Sequence, residues 1–187
     1  MDLTRFRPGR NNTALVVIDI QERLAAAMDP ARFESVLANT ERLLVGFDIL
    51  DCPVYFTEQY PQGLGPTVAR LTPHAQTVAP AAKLAFSCCG ELPLAAWLQD
   101  RGRSHAILCG IETHVCVLQT ALDLLEAGFF VHVVRDATLS RCPENHEAGL
   151  ALLADAGAVV TTTEIVLFQL QARAGDATFK AISKLVR

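Results

Sequence analysis

Three residues of this chain have types that can do nucleophilic and acid–base chemistry together: Asp19, Lys83 and Cys116. Each is out of keeping with its own surroundings. Cys116 follows a short apolar run, Ala106 to Cys109, and a break of small and polar residues, Gly110 to His114. From Val115 the apolar residues Leu118, Ala121, Leu122, Leu124 and Leu125 recur at helical spacing until Gly128 ends the pattern. The thiol is therefore expected in the first turn of a helix that follows a strand. Unpaired N–H groups and the positive end of the helix dipole favour a thiolate there. Sites in open α/β sheets lie outside the carboxyl ends of strands. The alternative is an inert, packed cysteine, the reading that fits Cys52, Cys88, Cys89, Cys109 and Cys142.

Asp19 is the late member of ALVVIDI, a β-branched and otherwise apolar run. A buried carboxylate must be paired or hydrogen-bonded. Two readings stand for it: a strand-end Asp bonding loop amides, or a general base at the sheet's carboxyl edge. Lys83 interrupts APAAKLAF in the same way. It either lays its stem along the surface with its head in water, or meets an anion. As a cluster the three residues answer one another. Lys83 and Asp19 would neutralise each other, the lysine's charge would favour a thiolate, and Asp19 could take the thiol proton and return it to a leaving group.

The elements that would position them alternate in type. Strands are expected at Ala14 to Ile20, Pro53 to Thr57, Ala79 to Phe86, Ala106 to Cys109, Phe129 to Arg135 and Ala158 to Thr162. Between them, Asp29 as N-cap and Pro30 at the first position open a long helix to about Asp51. Further helices are expected over Leu92 to Leu98, after Cys116, over Glu144 to Ala156, Glu164 to Leu170 and Ala177 to Val186. Gln21 to Met28 reads as a short helix or loop, and Glu58 to Pro66 as a loop with two Gly and two Pro. This alternation argues an α/β fold: a doubly wound, mostly parallel six-stranded sheet in a three-layer α/β/α arrangement. His132, within the fifth strand, reads as a packed histidine.

Composition narrows the function classes. The 187 residues are 51% hydrophobic and 19% charged, which suits one domain over 1–187. A net charge of −4 with no basic block argues against nucleic acid as a partner. No apolar run approaches the ~20 residues of a membrane span, so no membrane is expected. The polar MDLTRFRPGRNN has no signal core, and a cytoplasmic protein is expected. Six cysteines without a CxxC fit reduced thiols better than a disulfide framework or structural zinc. The apolar composition and the terminal helix suggest a homo-oligomer. A nucleotide-binding fold is disfavoured, since DIQERLAAA stands where glycines should follow the first strand.

ALVVIDIQ, KLAFS and GIETHVCVLQTALDLLEAGFFVHVVRDATLSR together resemble the isochorismatase-like cysteine hydrolases. The similarity spans about Thr13 to Thr163, and GIETHVC with TEQYPQGLGP is most similar to the isochorismatase domain-containing proteins within that family. The resemblance implies a six-stranded parallel sheet and an Asp-Lys-Cys triad, placed on Asp19, Lys83 and Cys116. It implies a non-proline cis peptide at Ile111–Glu112, with the amides of Glu112 and Cys116 facing a developing oxyanion. The family's nicotinamidases carry a metal-binding Asp-x-His and a further His after the second strand. Here TEQYPQGLGP has no histidine and His74 stands alone, so neither metal nor other cofactor is expected. The family's isochorismatases cleave a vinyl ether without a cysteine nucleophile, so Cys116 favours small amide-like substrates. Gln21, Tyr60 and Thr113 are candidate substrate contacts, and Glu112 and His114 are larger than their counterparts in some amidases. A second reading, of another class, is a binding or scaffold protein that keeps the triad without relevant turnover.

Overall fold

The computed structural model describes residues 2–75 and 79–187. Its six strands are β1 (Thr13–Ile18), β2 (Val54–Gln59), β3 (Ala81–Lys83), β4 (His105–Ile111), β5 (Phe130–Leu139) and β6 (Val159–Thr161). They form one sheet of order β3-β2-β1-β4-β5-β6, and each neighbouring pair is parallel. The chain works outward from β1 to β3, then returns to place β4 on the other side of β1. The carboxyl ends of β1 and β4 therefore flank the point where the winding reverses, the usual place for a site in such a sheet.

The apolar runs follow from burial on both faces. Leu15 and Val17 of β1 belong to one core cluster, with Val36, Leu43 and Phe47 of α2 (Pro30–Ile49). Val166 and Leu167 of α8 (Thr163–Gln171) and Ile182 of α9 (Ala177–Leu185) complete that side. Ala14, Val16 and Ile18 belong to the other cluster. They meet Leu94 and Leu98 of α5 (Leu94–Asp100), Ala121 and Leu124 of α6 (Leu118–Glu126), and Leu150 and Leu153 of α7 (Pro143–Asp155). Side chains alternate between faces with period 2, but both faces are covered, so every residue of β1 is buried and the strand reads as one apolar stretch. Each large aliphatic side chain so buried contributes about 1.5–3 kcal/mol. The start of α2 follows its sequence: the Asp29 carboxylate accepts the Arg32 amide at 2.9 Å, ahead of Pro30.

Most strand ends shift by a residue or two from expectation, β1 stopping at Ile18 rather than Ile20, and the larger departures lie at the carboxyl edge. β3 has three residues, because the chain after Lys83 turns back toward the lysine's own head group. β4 continues through Gly110 to Ile111, two residues into the stretch expected as a break. β5 runs on past Arg135 to Leu139, because a register shift between Leu108 and Gly110 lets it re-pair with the end of β4. The loop expected over Glu58 to Pro66 is shorter. β2 takes its first two residues, and a single helical turn, α3 (Pro61–Leu64), occupies its middle. The segment after β1 holds α1 (Glu22–Ala25), and α4 (Thr72–Ala75) precedes β3.

Candidate active site

β1 ends at Ile18, and the next residue turns the chain. Asp19 adopts φ 52°, in the left-handed region that Asp tolerates better than most residues. Its amide donates to the Thr57 carbonyl at 3.3 Å, and its carbonyl accepts the Gln21 amide at 2.9 Å. Its side chain is fully buried. Across β1, Gly110 makes the close approach possible. It has φ 124°, and a Cβ there would lie 2.0 Å from the Ile18 carbonyl oxygen. Only a glycine lets β4 run this close to the end of β1.

Lys83 reaches in from β3. Its Nζ lies 2.7 Å from Asp19 Oδ2 and 2.7 Å from Gln59 Oε1, and it donates to the carbonyls of Phe86 (2.9 Å) and Ala85 (3.3 Å). The side chains of Lys83 and Asp19 are both 0% exposed. Burial opposes the charged ammonium, but the negative charge of Asp19, helped by Cys88, Cys116 and the Asp19 hydrogen bond, holds it above its ordinary value. The second Asp19 oxygen, Oδ1, accepts the Thr57 hydroxyl at 2.8 Å.

Cys116 lies in a π-helical turn, Thr113–Val117, which opens two residues before the expected helix start and leads into α6. The residue is 5% exposed, and its thiol lies within electrostatic reach of Asp19 and Lys83. Burial pushes this thiol far up, the charge of Asp19 pushes it further, and Lys83 only partly opposes them. Lys83 does favour the thiolate, in the direction expected, but burial and Asp19 outweigh it. The lysine's charge is already met by the Asp19 side chain. Cys88, a second buried thiol, is pushed up to about 11 by burial and by the same carboxylate.

The nucleophile turn is stapled on both sides. Thr113 Oγ1 lies 2.9 Å from His146 Nδ1 of α7, and His114 Nδ1 lies 2.9 Å from Ser140 Oγ after β5. The Ile111–Glu112 peptide is cis. The Glu112 carboxylate accepts the Arg141 amide at 2.9 Å and its Nε at 3.0 Å, while the Glu112 carbonyl accepts the amides of Val115 and Val117.

Asp19, Lys83 and Cys116 are thus brought together, with Ile111 and Glu112 beside them. Two of the three candidate substrate contacts have their side-chain polar atoms bonded within the protein. Gln21 is fully buried; its amide nitrogen donates to the carbonyls of Gln59 and Gly65, and its oxygen accepts the Gln59 amide. It clasps the loop after β2 rather than facing a pocket. Thr113 spends its hydroxyl on His146. Tyr60 is 49% exposed at the start of α3, with its amide on the Lys83 carbonyl. Sequence reasoning gives Thr57, Gln59 and Cys88 no role in the site, yet all three stand around the ion pair. Among the described residues no three His, Cys, Asp or Glu side chains group as metal ligands. None of the described helices is long and apolar enough to cross a membrane.

The isochorismatase domain family model matches residues 13–165. The chain is 40% identical over 185 residues to isochorismatase domain-containing protein 2 of Bos taurus, covering 99% of this chain and 87% of the bovine protein. The solved structure of MAR1 ribonuclease from Caenorhabditis elegans is similar at 36% identity and a TM-score of 0.86, covering 96% of this chain and 92% of that one. YcaC from Pseudomonas aeruginosa, solved with hexane-2,5-diol and covalent acrylamide, is similar at 25% identity and a TM-score of 0.85, covering 96% and 91%. On the length of the family match and of the bovine alignment, this chain belongs to the isochorismatase domain family.

Proposed function

We propose that the chain is a cysteine hydrolase of small amide-like C–N substrates, working through a thioester. The observation that carries this reading is the wholly buried Lys83–Asp19 ion pair with the Cys116 thiol beside it. Burial and Asp19 favour the thiol form of Cys116, so deprotonation and attack belong to one coupled step. As sulfur attacks the substrate carbonyl carbon, the thiol proton passes to Asp19. The amides of Glu112 and Cys116 hold the oxyanion. The intermediate collapses, the C–N bond breaks, and Asp19 returns the proton to the leaving nitrogen. Asp19 then takes a proton from water as its oxygen attacks the thioester, and the carboxylic acid leaves as that proton returns to sulfur. Lys83 keeps Asp19 in place and its charge compensated throughout. The covalent acrylamide of the Pseudomonas YcaC structure suits a fold relative that meets an amide-bearing electrophile.

A ribonuclease reading is favoured by the name of the Caenorhabditis structure. It needs a cation for phosphate. Lys83 spends its charge on Asp19 at 0% side-chain exposure, and the chain carries −4 overall. Self-association belongs to the proposal, since Tyr60, Leu84 and Phe86 leave apolar surface exposed near the carboxyl edge; light scattering on the purified protein checks it. The central test is a panel of small amides and a labelled RNA. Turnover of an amide that is lost in Cys116→Ala, with a thioester adduct at Cys116 seen by mass spectrometry, is the expected result. RNA cleavage that survives Cys116→Ala, with no amide turned over, overturns it.

A further inference from the structure

The two oxygens of Asp19 are held by groups of different kinds. Oδ2 meets the Lys83 ammonium at 2.7 Å, and Oδ1 takes the Thr57 hydroxyl at 2.8 Å. Thr57 is 1% exposed within β2, and its carbonyl also accepts the Asp19 amide. A hydroxyl can donate or accept, so something must fix its direction. Cys88 does so here: its thiol donates to Thr57 Oγ1 at 3.7 Å, while its own amide is anchored on Thr120 Oγ1 at 2.9 Å. With a donor on its lone pair, the Thr57 hydroxyl has the carboxylate in front of its proton. Packing alone does not call for an oxygen at this position. Valine has the same branched shape, and a buried hydroxyl costs free energy unless it is bonded.

We infer that Thr57 is a positioning residue of this site: its hydroxyl, aimed by Cys88, holds the Asp19 carboxyl group oriented toward the Cys116 thiol. The inference rests on Asp19 being the proton acceptor of the proposed hydrolysis. The titratable groups that face Asp19 are Lys83, Cys88 and Cys116; Thr57 donates to it without titrating. Without that donor Oδ1 loses its anchor, the carboxyl group is free to turn away from the sulfur, and Cys116 loses its proton acceptor.

The test needs no substrate. The rate of Cys116 alkylation by iodoacetamide is followed by mass spectrometry against pH, within the range where circular dichroism shows each protein folded. In Thr57→Val and Thr57→Ala the rate is expected to fall about tenfold or more at each pH, the size of a lost bond to a charged acceptor. Thr57→Ser restores the wild-type rate. If Thr57→Val fails to fold, the smaller Ala variant set against Ser decides. Rates that coincide in wild type, Val and Ala overturn the assignment. A rate that falls while no amide in the panel is turned over overturns the hydrolase reading and leaves the coupling of Thr57 to Asp19 standing.

Discussion

A buried ammonium is tolerated only where its charge is met, and Lys83 meets Asp19 and Gln59 at 2.7 Å with two loop carbonyls behind it. The desolvation of such a pair is large enough that its net contribution to stability is small, but removing one partner strands the other. Lys83→Met leaves Asp19 buried, charged and bonded only to neutral donors. This variant is expected to lose about 3–5 kcal/mol of unfolding free energy, read as the urea midpoint at constant slope. Adding Asp19→Asn removes the stranded charge, and the double variant is expected to recover a large part of that loss while remaining inactive. If the two single losses simply add in the double variant, Lys83 and Asp19 are not energetically coupled. Asp19, Lys83 and Cys116 were visible in the sequence because each breaks a run of another character. Thr57 and Gln59 were not. They sit in PVYFTEQ, where a Thr is ordinary strand composition and a polar end is ordinary too. Only the pairing of β2 with β1 and β3 turns them onto the ion pair. Gln21 is the converse: it stands out as a polar residue two places past Asp19, and its bonds to residues 59 and 65 leave no local trace in the sequence.

At the scale of elements, the site depends on how close two strand ends come. Gly110 pairs with Ile18 and is the point where β4 shifts register against β5. A Cβ there would meet backbone, not the movable tip of a side chain, and φ 124° is closed to L-residues. Gly110→Ala therefore has to push the end of β4 away from β1, which separates the Cys116 turn from Asp19. The expected outcome is a protein that expresses poorly, or that folds with the labelling rate of Cys116 changed while that of the exposed Cys142 is not. Gly102→Ala makes the comparison, since φ 63° strains that variant too but nothing lies within 4 Å of the added Cβ. Equal behaviour of the two variants removes the close approach as the cause. The order of elements was legible because the hydrophobic period switches between strand and helix, and because Asp29-Pro30 announces α2. The ends were not. A continuation of β5 past Arg135, and a three-residue β3, are set by the register shift and by the lysine's need for carbonyls, neither of which leaves a local trace.

Over the whole molecule, the end of the sheet opposite the site is closed by the N-terminal segment, and two buried histidines hold it. His105 Nε2 lies 3.1 Å from the Thr4 carbonyl, and His132 Nε2 lies 2.9 Å from the Arg5 carbonyl, so each ring donates from Nε2. The rings are 5.8 Å apart and both residues are 0% exposed. Among the described residues, His132 Nδ1 has no partner. Protonating it would place a charge on a dry, unpartnered nitrogen beside a second imidazole. Burial accordingly pushes His132 down to about 4, with His105 adding to the effect, and burial lowers His105 as well. In the unfolded chain both rings take a proton near the ordinary value of about 6.5. Between about 6.5 and 4 the unfolded state therefore binds more protons than the folded one, and stability falls as pH is lowered through that window. For His132 alone the integrated loss is about 3 kcal/mol. His132→Gln keeps a donor for the Arg5 carbonyl and does not titrate, so its urea midpoint is expected to fall less steeply between pH 7 and pH 4 than that of the wild type. Parallel slopes would assign the acid sensitivity to other groups. The same window limits how far the Cys116 labelling curve can be followed downward, and the His132→Gln background extends it: unfolding at the amino end of the sheet is then moved away from the proton chemistry at the carboxyl end.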